Sequence, residues 1–371
     1  LHYRAVIVIG ARPNFMKAAP ITTQLKRYDD IETILVHTGQ HYDKELSKVF
    51  FDDLNLPKPD YYLGIGSGSH SEQCGQIMIE FEKILQELDP DVVLVVGDVN
   101  STLACALATA KFRCGRPRYS PVIAHVEAGL RSNDWRMPEE INRRLTDALA
   151  DLLFTTEPSG QDNLIKEGIS SDRIYHVGNV MIDSLLSFKA QAEKSLILKQ
   201  LNLKENDYAL LTMHRPGNVD KKNDLINILD GLEEIARSIK VVFPVHPRTK
   251  KMFRQYGIES HFLKTTQPLG YLDFMKMLTN AKFVMTDSGG IQEEATALNI
   301  PCLTLRENTE RPVTVDQGTN ILVGKDRDVI VAQAMKIIKG VRKQGEIPEF
   351  WDGKTAQRIC KIVFNYLKVH N

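Results

Sequence analysis

The chain has no excess of either charge: 47 lysines and arginines stand against 47 aspartates and glutamates in 371 residues. That balance argues against a general binder of nucleic acid or anionic membrane, which works through a basic surface. No apolar run approaches the roughly 18 residues of a membrane span. The run Ala5-Val6-Ile7-Val8-Ile9 is too short for a signal-peptide core and is soon followed by Arg12-Pro13, so it reads as a first strand. Cysteine is scarce, odd in number at five, and never spaced C-x-x-C. Neither a disulfide framework nor a zinc site is expected; the thiols read as buried and reduced, in a cytoplasmic protein. Two nucleotide signatures are missing as well. The loop after the first strand, Gly10-Ala11-Arg12-Pro13-Asn14, is not G-x-G-x-x-G, and no acidic residue follows it at the end of a second strand. No G-x-x-x-x-G-K-[ST] occurs anywhere. NAD binding and P-loop chemistry are thereby set aside.

What the sequence does hold is an alternation of short apolar runs with longer amphipathic segments. Strands are expected at 5–9, 33–37, 92–96, 122–126, 153–155 and 174–177, and again at 209–212, 240–244, 283–286 and 302–305. Helical patterns cover 74–88, 138–151, 224–238, 328–342 and 355–370. Strand-helix alternation means parallel sheets with right-handed crossovers. The fold class is therefore α/β, with two Rossmann-like, doubly wound domains facing a cleft. The alternation pauses at a polar helical stretch, 187–204, which sets the boundary near residue 178. The expected domains are 1–178 and 179–354, with 355–371 as a terminal helix that either caps its own domain or crosses back to the first. Ligands of open α/β sheets bind beyond the carboxyl ends of the strands, so the residues just after each strand carry the functional reading.

Those residues are unusually charged. After the first strand come Arg12 and, one turn into a helix, Lys17, which together suit an anion. Asp98 closes another strand, Glu127 follows His125 at the end of the next, and Glu139 sits behind Pro138 in a first helical turn. Three carboxylates on one rim suit proton transfer, and equally the ligand set of a hard metal. The spacing of Ile141, Leu145 and Leu149 points that face of the helix inward. In the second half, His214-Arg215 and His246-Pro247-Arg248 end successive strands. His214 reads as an acid or a phosphate donor; His246 is open between that and a packing role. Asp287-Ser288-Gly289-Gly290 joins a strand to a helix and forms a backbone cradle for phosphate. Glu294, one turn on, suits ribose hydroxyls, and Glu293 the helix dipole. The residues alone thus describe a two-domain nucleotide-diphosphate enzyme and do not separate a glycosyltransferase from an epimerase.

Nine segments, taken in order, resemble the non-hydrolysing UDP-N-acetylglucosamine 2-epimerases, of glycosyltransferase-B-like fold. They are GARPNFMKAAP (10–20), HTGQH (37–41), GDVNST (97–102), HVEAGLRS (125–132), MPEEINRR (137–144), TMHRPGNVD (212–220), PVHPR (244–248), TDSGGIQEEA (286–295) and LRENTERP (305–312). The resemblance implies that Arg12, Ser288, Gly289, Gly290 and Glu294 bind UDP, with Phe274 beside the uracil. It implies that Lys17, Asp98, Glu127, Glu139, His214 and Arg311 surround the sugar and diphosphate, Asp98, Glu127, Glu139 and His214 being catalytic. Gln40 and His246 resemble positions that hold a second UDP-N-acetylglucosamine as an activator. The chain departs from the commoner pattern at Asn14-Phe15-Met16, Leu269 and Val313.

The implied reaction is reversible epimerisation at C2, giving UDP-N-acetylmannosamine through a glycal, in a cytoplasmic homodimer that supplies surface polysaccharide synthesis. It calls for no NAD, no metal and no other cofactor, and for no nucleic-acid or membrane partner. The alternatives are a 2-epimerase of a related UDP-sugar such as a diacetamido uronate, and a glycosyltransferase of the same fold.

Overall fold

The computed structural model describes residues 2–40, 58–113 and 120–370, with the backbone alone of Arg12 and Pro13. The side chain of Arg12 therefore lies outside the described residues, as do His41 and Cys114. The chain forms two compact units, Leu1–Leu186 together with Glu349–Asn371, and Ser187–Pro348.

Among the described residues the first unit holds seven strands: β1 (Tyr3–Ile9), β2 (Ile31–His37), β3 (Tyr61–Tyr62), β4 (Val92–Val96), β5 (Val122–Ala128), β6 (Leu152–Thr155) and β7 (Ile174–His176). Every pairing is parallel, in the order β3-β2-β1-β4-β5-β6-β7. β4 reads Val-Val-Leu-Val-Val and is buried throughout, as a strand covered on both faces must be. The winding reverses between β1 and β4, so their carboxyl ends lie side by side at the topological switch point.

The second unit repeats the plan with β8 (Tyr208–Thr212), β9 (Lys240–Pro244), β10 (Leu263–Thr266), β11 (Phe283–Thr286), β12 (Cys302–Thr304) and β13 (Asn320–Leu322). These are also all parallel, in the order β10-β9-β8-β11-β12-β13. Here the switch point falls between β8 and β11. Alternate residues feed two core layers: Leu211, Phe243 and Met285 on one face, Leu210, Val242 and Val284 on the other. The two units are Rossmann-like, as the alternation of the sequence implies. The strands β3, β10 and β13 carry no sequence signal of their own. They are short edge strands, and an edge strand needs no continuous apolar run.

The terminal helix Thr355–His370 belongs to the first unit. The Asp183 carboxylate accepts from the backbone N–H groups of Thr355 and Ala356, at 3.1 and 2.7 Å, which satisfies two of the open donors of its first turn. Ile359, Cys360, Val363 and Leu367 form its buried face, and Phe364 meets Tyr28 with ring centroids 4.8 Å apart. Just upstream, Trp351 Nε1 donates to Thr156 O at 3.0 Å. No helix among the described residues is long and apolar enough to cross a membrane.

Ile359 is fully buried and Val369 is exposed on the same helix. Ile359→Ala is expected to destabilise the first unit by about 2–5 kcal/mol in urea unfolding, because the site cannot collapse around the lost atoms. Val369→Ala is expected to stay within about 0.5 kcal/mol of the parent. Equal effects would contradict the packing described.

Candidate active site

At the switch point of the first unit, the loop after β1 is tied to β4 by Asn14. Its Oδ1 accepts from the N–H groups of Gly10 and Ala11, and its Nδ2 donates to Val96 O at 2.9 Å. The helix Arg12–Leu25 begins there and carries Lys17 across to β5, where Lys17 Nζ lies 2.6 Å from Glu127 Oε2. The two side chains are 5% and 2% exposed, so this is a buried ion pair. Glu127 is also strained. Its φ is 75°, and the register of β5 on β6 slips between Val126 and Ala128, which leaves it on a bulge. Non-glycine residues in the left-handed region cost on the order of 1–3 kcal/mol and persist where the surroundings enforce them. Gly97 makes room for the pair: a Cβ there would stand 2.9 Å from Lys17 Nζ.

Asp98 meets Arg143, its Oδ2 lying 2.5 Å from Nη1. Arg143 also bonds Glu140 at 2.9 Å, and Glu140 accepts from Ser132 N and from Arg144. Next along the sheet, His125 Nδ1 lies 2.6 Å from Asp147 and its Nε2 2.8 Å from Gly97 O. Asp147 is bound as well by Arg131 at 2.7 Å. Burial works against its charge, but His125 and Arg131 outweigh that and hold the carboxyl below its ordinary range.

These partners correct the expected orientation of the helix Pro138–Leu149. Ile141 and Leu145 point outward, at 41% and 48% exposure, while Glu140, Asn142, Arg143, Thr146 and Asp147 are buried. The charged strand ends need counter-charges more than the core needs two more aliphatic side chains. Glu139 is half-buried in the first turn, one turn before Arg143. Gln40 is buried, its Oε1 accepting from Ser101 N and Oγ at 3.0 and 2.6 Å. Asp98 and Glu127 thus each carry their own cation. Among the described residues no three His, Cys, Asp or Glu gather as metal ligands.

In the second unit, the helix Gly289–Ala297 starts after Ser288, with Arg311 laid against its first residue. Any side chain at Gly289 would collide with the guanidinium, since a Cβ would fall 2.4 Å from Nη1. Arg311 reaches Glu293 at 2.6 Å and Glu310 at 2.5 Å, and Glu310 also meets Arg306 at 2.7 Å and Arg215 at 3.5 Å. Burial opposes the Glu310 charge, yet the three arginines hold its carboxyl well below the usual range. Three guanidiniums facing two carboxylates leave a positive excess beside an open helix N-terminus, the electrostatics of a diphosphate cradle.

His214 is fixed from below by Asp287, fully buried at the end of β11. The His214 ring is tilted 34° from that of His246, with centroids 5.0 Å apart. Phe274 is half-buried on the helix Tyr271–Asn280, on the same core layer as Leu269 and Ile291. Glu294 is buried beside the Tyr271 hydroxyl at 3.4 Å. Burial, with the neighbouring Glu293 charge, pushes its carboxyl up to about 8.

The structure therefore gathers Lys17, Asp98 and Glu127 at the strand ends of the first sheet. It gathers His214, His246, Ser288, Gly289 and Arg311 at those of the second. Sequence reasoning assigned no role to Arg131, Arg143, Asp147, Asp287 or Glu310. All lie inside the quoted motifs or on the helix that one of them opens. The available signal was their count: buried carboxylates at strand ends require cations in number.

Three comparisons bear on the chain. The profile of the family described as UDP-N-acetylglucosamine 2-epimerase matches residues 23–364. A UDP-N-acetylglucosamine 2-epimerase of Methanocaldococcus jannaschii is 42% identical over 367 residues, 96% of this chain and 98% of its own. Its crystal structure in complex with UDP-GlcNAc and UDP superposes with a TM-score of 0.89, covering 98% of this chain and 99% of that one. A UDP-2,3-diacetamido-2,3-dideoxy-D-glucuronate 2-epimerase of Pseudomonas aeruginosa is 39% identical, over 97% of this chain and 99% of its own.

Glu294 offers a test of the second site without ligand. Its carboxyl holds a proton up to about pH 8 in the fold and loses it near 4.5 when unfolded, so the native state binds more protons between those values. The contribution of this group to the stability of the parent therefore falls as pH rises through that window. Glu294→Gln removes this loss, so its stability relative to the parent is expected to rise from pH 5 to pH 8 in urea unfolding. A difference that does not change with pH would contradict the buried, neutral carboxyl.

Proposed function

The chain belongs to the UDP-N-acetylglucosamine 2-epimerase family, and we propose that it inverts C2 of UDP-N-acetylglucosamine to give UDP-N-acetylmannosamine. The C2 proton is not beside a carbonyl, so removing and returning it directly is too slow. Elimination solves this. A carboxylate takes the C2 proton, and the C–H electron pair becomes the C1–C2 double bond. The C1–O bond breaks, its pair leaving on the β-phosphate of UDP. A β-phosphate oxygen then re-adds to C1 of the glycal while C2 receives a proton on its other face. The cycle balances without a redox cofactor or a metal.

The observation that carries this reading is Glu127, a buried carboxylate on a strained bulge with Lys17 against it. Packing alone gives no reason to hold an acid there. Glu127 serves one face of C2; Asp98, set by Arg143, and Glu139 are the groups for the other. Arg12, Arg311, Ser288, Gly289 and Gly290 hold the departing diphosphate, and His214 bonds it. Glu294 takes the ribose and Phe274 the uracil. On this reading the enzyme is a cytoplasmic homodimer that supplies activated N-acetylmannosamine for surface polysaccharide. The exposed Trp135, Ile141 and Leu145 offer apolar surface for such an assembly. Gln40 and His246 take part in binding a second UDP-N-acetylglucosamine as activator.

The Pseudomonas aeruginosa relative supports a second reading, in which the sugar is a diacetamido uronate. That substrate needs a further cation for its carboxylate. The buried arginines Arg131, Arg143, Arg306 and Arg311 each already face a carboxylate, which favours the uncharged sugar.

Incubation with UDP-N-acetylglucosamine in heavy water, followed by proton NMR, is expected to show UDP-N-acetylmannosamine carrying deuterium at C2. Glu127→Gln is expected to lower that rate by about 10²–10⁴-fold with little change in UDP affinity. Free N-acetylmannosamine, or a product without deuterium, would contradict the proposal.

A further inference from the structure

The described geometry gives Asp287 every bond a carboxylate can use, and the arrangement is asymmetric. Oδ2 accepts three donors: His214 N at 2.9 Å, Arg215 N at 2.8 Å and Asn218 Nδ2 at 3.1 Å. Oδ1 faces the His214 ring, 3.2 Å from Nδ1, with a second and longer bond from His214 N at 3.2 Å. Asp287 is fully buried while the His214 side chain is 38% exposed, so one edge of the imidazole is anchored and the other is open. Burial works against the Asp287 charge, but His214 and the backbone donors hold its carboxyl below the ordinary range. A charged carboxylate can only accept, so the nitrogen facing it carries a proton.

From this we infer that Asp287 is a positioning residue that locks His214 as the Nδ1–H tautomer and presents Nε2 as its working nitrogen. The inference rests on the reading that His214 serves the diphosphate. Locked this way, Nε2 is the atom that takes a proton from solvent, donates it to the leaving β-phosphate oxygen, and takes it back when that oxygen re-adds to C1. The buried carboxylate holds the ring in place through the transfer. The tilted neighbouring ring has the opposite bias: His246 Nδ1 accepts from Arg248 N at 3.1 Å, so its neutral ring carries the proton on Nε2. The two imidazoles, 5.0 Å apart, thus hold opposite tautomers, which gives an internal contrast within one spectrum.

The asymmetry of the carboxylate makes Asp287→Asn informative. Three donors converge on the Oδ2 position, so the amide oxygen must go there and the NH2 group must face His214 Nδ1. That nitrogen then has to accept, and the proton moves to Nε2. Nitrogen-15 NMR of histidine-labelled, ligand-free enzyme, with His214 assigned by the loss of its signals in His214→Gln, reads this directly. The parent is expected to show Nδ1–H at His214, and Asp287→Asn to show Nε2–H. In the epimerase assay the variant is expected to lose about 10²-fold in kcat, with KM changed less than about three-fold.

A parent spectrum with Nε2–H, or with both tautomers averaged, would overturn the inference even if Asp287→Asn failed to fold. So would a folded variant that kept the parent tautomer. A locked tautomer in an enzyme that bound UDP without epimerising would instead contradict the proposed reaction and leave the positioning role of Asp287 standing.

Discussion

A carboxylate taken out of water must be given a cation, or it must give up its charge. That constraint organises both units. A parallel sheet covered on both faces presents functional side chains at its carboxyl edge alone, and here those edges carry buried acids. Glu127 has Lys17, Asp98 has Arg143, Asp147 has Arg131, and Glu310 has three arginines. Breaking such a pair from one side strands a buried charge, at a cost of about 3–5 kcal/mol. Glu294, with Tyr271 and Glu293 beside it, takes the other course and is held neutral. The helix Pro138–Leu149 shows how strongly the constraint acts: it buries two carboxylates and an arginine and leaves Ile141 and Leu145 outside.

The same helix marks the limit of what the sequence reveals. Apolar spacing reports the inward face of a helix when the neighbouring surface is apolar. Beside the ends of β4 and β5 the neighbouring surface is charged, and the pattern inverts. Where both neighbours are core the reading is sound. β4 and β11 are found at the expected residues, as is the helix Thr355–His370. The edge strands β3, β10 and β13 escape because register and hydrogen bonding place them rather than a run of aliphatic residues.

The site divides in the same manner. Residues with chemistry at a strand end, such as Glu127, His214 and Ser288, are visible because position and type coincide. Asp287 stands in the same motif as Ser288 and draws no role of its own from the sequence. Its bonds to the backbone of His214 and Arg215 come from a strand more than 70 residues away in the chain. The bulge at Glu127 is equally silent, since it depends on the register of β5 against β6.

In the proposed reaction the acids of the first sheet transfer protons and the second sheet handles a departing diphosphate. Central to it is that the C1–O bond breaks in each catalytic cycle. UDP-N-acetylglucosamine carrying oxygen-18 in the bridge between C1 and the β-phosphorus tests this most directly, followed by phosphorus NMR. If UDP leaves, its β-phosphate turns before re-adding, and the label moves into non-bridging positions as C2 inverts. Inversion at C2 with the label still in the bridge would contradict the account.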